Sequence, residues 1–254
     1  MSCRKITCKV YRYKPGDPQP EMQKYSVDRD GLYTVLDVML EIKKIDPTFA
    51  FRSACREGAC GTCSVNIDGA NGLACQTKLG KSQKSLQLYP LPHMKVIRDL
   101  VIDTKEMEQQ HAEIKPWLQS SEKGEGKFTP EDQAKIDGSW ECIMCFSCAT
   151  SCPMYWWNSD RFLGPANLMQ SYRWLQDERD EAKIERLRNL KKGTQTYGCR
   201  TILNCVQNCP KNLKPGLAIA EIKKLLWEYR DVLDEEVDES TCDSSKGDDR
   251  SDKA

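Results

Sequence analysis

Cys55, Cys60, Cys63 and Cys75 are spaced C-x4-C-x2-C with a distant fourth cysteine, the ligand pattern of a plant-type 2Fe-2S centre. A second run, Cys142, Cys145, Cys148 and Cys152 followed by Pro153, reads C-x2-C-x2-C-x3-C-P, the bacterial ferredoxin pattern. Counting back from Cys209 and Pro210 with that same spacing reaches Cys205, position 202 and Cys199, but position 202 is Ile202. The third run is therefore one thiolate short. In two-cluster ferredoxins the fourth cysteine of each run ligates the other run's cluster. Cys142, Cys145 and Cys148 are then completed by Cys209, a 4Fe-4S ligand set. Cys199 and Cys205 are completed by Cys152, and three thiolates suit a 3Fe-4S cluster. Eleven of the fourteen cysteines are used in this way, leaving Cys3, Cys8 and Cys242. The chemistry expected of such a chain is electron transfer.

Cysteines also bind zinc or pair as disulfides. Zinc sites favour two separated ligand pairs, whereas here successive x2 gaps closed by x3 and Cys-Pro accompany a plant-type loop. A zinc-binding interaction module is the remote alternative, and it predicts a colourless protein. The loop from Arg56 to Thr62 holds Gly58, Ala59 and Gly61, small residues that let backbone N–H groups approach sulfur. A disulfide framework has no need of them.

The elements that must hold these runs are legible in outline. Of 254 residues, 30% are charged, no apolar run approaches the ~18 residues of a membrane span, and the length allows two domains. Ile6, Cys8 and Val10 alternate onto one strand face, with Cys8 read as core, and Pro15-Gly16-Asp17-Pro18 turns the chain toward a strand near Met22 to Val27. Thr34 and Asp37 start a helix carrying Val35, Leu36, Val38, Met39 and Ile42. Strands near Ser64–Ile67 and Leu86–Tyr89, with a turn around Asp68 to Gly72, complete a β-grasp, plant-type ferredoxin-like domain over residues 1–104.

Residues 119–126 read as a loop, and Thr129-Pro130-Glu131-Asp132 as a helix start. Amphipathic stretches around Leu168–Leu175, Glu181–Leu190 and Leu217–Tyr229 predict an all-helical, two-cluster ferredoxin-like domain over 105–230, the whole chain being α+β. Pro153 and Pro210 are expected to stop helical continuation and turn the chain around the clusters. Residues 231–254 hold ten acidic and three basic residues against a net charge of zero, a tail expected to be disordered.

Two histidines, His93 and His111, are too few for a Rieske centre or a His-rich zinc site. The sequence carries no Ser-His-Asp arrangement, no paired-carboxylate arrangement and no G-x-G-x-x-G or Walker motif. Catalytic residues are not expected in this chain, and any flavin belongs to another subunit.

The sequence resembles the iron–sulfur subunit of succinate dehydrogenase (respiratory complex II), most nearly the mitochondrial members, over almost all of residues 5–230. The resemblance rests on Phe51-Arg52-Ser53-Ala54-Cys55-Arg56-Glu57-Gly58, Tyr89-Pro90-Leu91-Pro92-His93-Met94, Cys152-Pro153-Met154-Tyr155-Trp156-Trp157-Asn158, Phe162-Leu163-Gly164-Pro165-Ala166 and Asn204-Cys205 through Cys209-Pro210-Lys211. It implies a relay from FAD on a flavoprotein subunit, which oxidises succinate, through the 2Fe-2S, 4Fe-4S and 3Fe-4S clusters to ubiquinone. It also implies two membrane-anchor subunits, with haem b a candidate group there, and no nucleic acid.

The ferredoxin-like domain would dock on the flavoprotein and the helical domain on the anchors, leaving apolar surface on the isolated chain, which is not expected to oxidise succinate alone. Pro153, Trp157 and Ile202 match positions near the quinone headgroup. Where the family usually has Tyr-Arg-Cys-His, this chain has Tyr197-Gly198-Cys199-Arg200. Arg200 stays charged and donates without relaying protons, which points to altered quinone reduction or haem contact. The implied location is the matrix face of the mitochondrial inner membrane, although residues 1–16, basic and free of acids, read as fold and not as a targeting peptide. The nearest rival is the iron–sulfur subunit of a quinol:fumarate reductase, whose direction is set by potentials and quinone.

Overall fold

The computed structural model describes residues 5–121 and 128–234. Cys3, Cys242, most of the expected 119–126 loop and the tail from 235 onward lie outside the described residues.

Alternation of Ile6, Cys8 and Val10 sends these side chains inward from β1 (Lys5–Arg12), which pairs antiparallel with β2 (Glu21–Asp28), Cys8 opposite Tyr25. The helix α1 (Val35–Ile45) starts with a capping box: Asp37 N–H donates to the Thr34 hydroxyl at 3.2 Å, and Thr34 N–H to the Asp37 carboxylate at 2.8 Å. Its Val35, Leu36, Val38, Met39 and Ile42 cover the sheet. After the first cysteine loop come β3 (Ser64–Ile67), β4 (Ala70–Leu73) and β5 (Ser85–Tyr89), in a mixed sheet of order β2-β1-β5-β3-β4 with β1 and β5 parallel. Short β6 (Val96–Arg98) and β7 (Val101–Ile102) form a separate ribbon. Arg12 ties β1 to that ribbon and to the end of α1, donating to Asp99 at 3.1 Å and Asp46 at 2.5 Å.

The strand β4 corrects the expected broad turn at 68–72. The turn is only Asp68-Gly69, with φ of 50° and 93°, the conformation an Asp-Gly hairpin favours. Asn71 and Gly72, read as turn residues, are strand residues.

The second domain contains α2 (Lys105–Glu113), α3 (Pro130–Ile136), α4 (Ser147–Thr150), α5 (Pro153–Asn158), α6 (Gly164–Gln176), α7 (Lys183–Lys191), α8 (Asn204–Gln207) and α9 (Pro215–Glu228). At its centre α6 is buried on most sides and packs on α9 through a core that includes Leu168, Leu175, Leu187, Ile219, Ile222 and Leu226.

Two further expectations change. Pro153 does not only end a run; it opens α5, where its missing N–H costs nothing. Residues 231–234, expected within the tail, are helical, and Leu233 is buried in the helical core.

The domains meet through buried polar side chains. The Asn71 amide donates to Ser151 Oγ at 2.8 Å, Thr150 Oγ1 at 3.1 Å and the Ser147 carbonyl at 3.3 Å, while its oxygen accepts from Asn66 at 2.8 Å. Replacing Asn71 with Ala removes these bonds, although the Thr150 and Ser151 hydroxyls keep theirs to the Phe146 and Ser147 carbonyls; a buried polar group left unpaired costs ~1–3 kcal/mol. Asn71→Ala is therefore expected to destabilise the protein by about 2 kcal/mol in reversible unfolding. A wild-type midpoint would show that water replaces these bonds freely.

Candidate metal centres

The first loop wraps its backbone around one sulfur. Positive φ at Arg56 (65°), Gly58 (79°) and Gly61 (70°) turns successive N–H groups inward. Cys55 Sγ accepts from the N–H of Glu57 at 3.5 Å, and from those of Ala59 and Cys60 at 3.3 Å each. Such a nest stabilises negative charge. The Thr62 hydroxyl donates to Cys60 Sγ at 2.8 Å and is the largest cause lowering that thiol to about 6. Cys63 and Cys75 lie on the buried side, and burial pushes Cys63 up to about 12. Cys60 is exposed and Cys55 half-buried, whereas Cys63 and Cys75 are buried, two pairs that suit the two irons of a 2Fe-2S cluster.

The second and third runs share a bend. Met144 (φ 49°) and Phe146 (φ 60°) flank Cys145, just as Thr201 (φ 58°) and Leu203 (φ 66°) flank Ile202. Each pair leads into a single helical turn, α4 or α8. Ile202 therefore occupies in the third run the backbone position that Cys145 occupies in the second.

One cavity wall contains Cys142, Cys145 and Cys148 of the second run and Cys209 of the third. Burial, and then repulsion within this group, pushes the Cys142, Cys145 and Cys148 thiols up. Leu213 N–H donates to Cys209 Sγ at 3.3 Å. Cys152 instead is close enough to Cys199 to feel its charge, and Cys205 to feel both; burial is the main cause raising Cys205 to about 11. Thr201 N–H donates to Cys199 Sγ at 3.4 Å. Cys142, Cys145, Cys148 and Cys209 thus share one cavity wall, and mutual repulsion links Cys152, Cys199 and Cys205. Buried thiols ionise only with compensating positive charge, and iron supplies it, so these residues fit the groups their spacing implies.

Among the described residues, no three His, Cys, Asp or Glu side chains close on one point as a single metal ion requires. Thiols that line a space suit a multi-iron cluster, with two sulfurs on each iron of a 2Fe-2S centre and one on each iron of a 4Fe-4S centre.

The three groups adjoin in sequence order. A Cβ on Gly61 of the first loop would lie 2.7 Å from the Ile143 carbonyl and 2.9 Å from Cys145 Cβ. Cys148 also feels the charge of Cys205, linking the second group to the third.

Of the residues singled out beside the third group, Trp157 is 72% exposed and Ile202 48% exposed; Arg200 is exposed and Pro153 half-buried. Trp156 differs: it stacks on His93 at 3.8 Å and donates to the Thr150 carbonyl at 2.8 Å. Gly198 has a local reason, since a Cβ there would meet the Phe162 ring at 2.8 Å. Lys223 was not singled out by sequence reasoning; from α9 its ammonium donates to the Cys199 carbonyl at 3.0 Å. The helical periodicity around it gave no signal of that contact. Among the described residues no helix is long and apolar enough to cross a membrane.

Residues 7–109 match the family of 2Fe-2S iron-sulfur cluster binding domains, and residues 141–214 the family of 4Fe-4S dicluster domains. A chain of the Mycobacterium smegmatis Sdh1 complex in its apo form superposes with a TM-score of 0.81 at 24% identity, covering 90% of this chain and 97% of that one. A hypothetical protein from Helicobacter pylori superposes with a TM-score of 0.52 at 15% identity, covering 89% of this chain and 40% of that one. At these identities the likeness is one of fold.

Fold and site define the class: a two-domain electron-transfer iron–sulfur protein, with a 2Fe-2S domain followed by a 4Fe-4S dicluster domain. The same two-domain fold is that of the chain from the Mycobacterium smegmatis Sdh1 complex.

Proposed function

We propose that this chain is the iron–sulfur subunit of a succinate dehydrogenase, passing electrons from FAD on a partner flavoprotein to ubiquinone. Cys55, Cys60, Cys63 and Cys75 hold the 2Fe-2S cluster. Cys142, Cys145, Cys148 and Cys209 hold the 4Fe-4S cluster, and Cys152, Cys199 and Cys205 the 3Fe-4S cluster. When bound, the clusters supply one-electron carriers whose potentials follow cluster type, charge, hydrogen bonds to sulfur and burial. The observation that carries this reading is the cavity lined by three thiols of the second run and Cys209 of the third, with Cys152 of the second run grouped with Cys199 and Cys205.

The pair Cys55 and Cys60 forms the entry edge toward the flavoprotein. Exposed Trp157, Ile202, Leu203, Leu217 and Trp227 are apolar surface that suits two membrane-anchor subunits and a quinone headgroup. Operation at the matrix face of the mitochondrial inner membrane belongs to the same reading.

Low-temperature EPR of the complex purified with its partners tests the proposal, as isolated and after succinate and then dithionite. The expected sequence is an oxidised 3Fe-4S signal, then reduced 2Fe-2S and 4Fe-4S signals. Silence, with zinc in metal analysis, would remove it. A midpoint set matched to a low-potential quinol, with fumarate reduced faster than succinate is oxidised, would favour the fumarate reductase reading. Arg200→His restores a titratable group beside Cys199 and is expected to change the pH dependence of quinone reduction between pH 5 and 8. Unchanged turnover, quinone affinity and haem content across that range would remove Arg200 from the site.

A further inference from the structure

Between the first and second thiol groups lies a short chain of hydroxyls that the electron relay does not itself require. The Ser147 side chain is fully buried, with its Oγ 3.5 Å from Cys145 Sγ and 2.8 Å from Ser64 Oγ of the other domain. Asn71 anchors the same turn through the Ser147 carbonyl and the hydroxyls of Thr150 and Ser151. Ser151 in turn donates to the Ser147 carbonyl at 2.7 Å.

A serine hydroxyl carries one proton, and a ligating thiolate can only accept. With Cys145 as thiolate, the Ser147 proton points at sulfur, and the bond between the two hydroxyls must then run from Ser64 to Ser147.

The third run provides an internal comparison. Position 202 has no sulfur, and the residue matching Ser147 there is Asn204, whose amide donates instead to the Ser151 carbonyl at 3.2 Å. The donor to sulfur is present where the ligand is present.

We propose that Ser147 is a positioning residue that raises the reduction potential of the 4Fe-4S cluster by donating to Cys145 Sγ, and that Ser64 from the ferredoxin-like domain fixes the direction of that bond. The added electron increases negative charge on the cluster sulfurs, so a donor aimed at one of them stabilises the reduced state more than the oxidised state. Docking of the first domain thereby sets the redox level of the second domain's cluster. This rests on the assignment of Cys145 to a 4Fe-4S cluster.

The test is an EPR-monitored redox titration of the complex with its partners. Ser147→Ala is expected to bias the 4Fe-4S couple toward the oxidised form by about tenfold, a fall of about 59 mV for one electron. Ser64→Ala is expected to shift it less, in the same direction, and to add nothing in the Ser147→Ala background. The 2Fe-2S and 3Fe-4S midpoints stay in place. Ser64→Ala also carries the test if Ser147→Ala does not assemble. A 4Fe-4S signal present at wild-type potential in the variants, or additive shifts in the double variant, overturns the inference alone. A wild-type complex lacking that signal overturns the cluster assignment beneath it.

Discussion

Ile202→Cys is expected to convert the proposed three-iron centre of the third run into a four-iron cluster. The two runs bend alike, with left-handed residues at 144 and 146 around Cys145 and at 201 and 203 around Ile202, so a thiol at 202 enters at the position Cys145 holds in the second group. Four thiolates suit a cubane, and the added iron offsets the charge of the added thiolate. The change of cluster type is what is expected to lower the potential, and each ~59 mV lost is a tenfold bias against a one-electron step. Loss of the oxidised 3Fe-4S EPR signal, gain of a second 4Fe-4S signal on reduction and a severe loss of electron transfer to quinone should appear together. An undiminished three-iron signal, with the new cysteine titrating as a free thiol, would sink the structural equivalence.

The second large effect is steric. Gly61 has φ of +70°, and a Cβ there would sit 2.7 Å from the Ile143 carbonyl and 2.9 Å from Cys145 Cβ. Gly61→Ala adds the left-handed backbone penalty of about 1–2 kcal/mol to overpacking of about 1–3 kcal/mol. Roughly 3 kcal/mol of destabilisation is expected, together with a weakened magnetic interaction between the reduced 2Fe-2S and 4Fe-4S clusters as the domains part. Gly69 is the control: its φ is +93° but nothing lies within 4 Å. Gly69→Ala should therefore cost only the backbone part. Equal losses in the two variants would show that the contact between the first loop and the second run is not tight.

The parts of this protein written in local sequence were the parts legible there. Cysteine spacing is a short-range property, and the proposed crossing of Cys152 and Cys209 was read from it together with the two-cluster pairing rule. Capping boxes at Thr34 and Thr129 are likewise local, and both form. Contacts set by tertiary placement were not legible. Nothing near Asn71 announces that its amide will meet Ser147, Thr150 and Ser151, and a turn-forming Asn-Gly pair suggested the opposite. Lys223 reads as one more charge on an amphipathic helix until α9 is laid against Cys199. Charge counts over residues 231–254 also give no sign that Leu233 is buried, which depends on where the preceding helix delivers it.

Exchange of the fourth cysteine between runs also has a mechanical meaning. In the proposed arrangement one cluster fastens residues 142–148 to Cys209, and the other fastens Cys152 to Cys199 and Cys205, so the two enclose α5, α6 and α7 as nested clasps. A cross-link that closes a long loop removes entropy mainly from the unfolded chain. Neither clasp opens independently, because each is built partly from the other's strand of cysteines. Oxidative loss of one cluster therefore loosens the backbone that supports its neighbour, and the helical domain should lose both clusters and its fold in a single cooperative event.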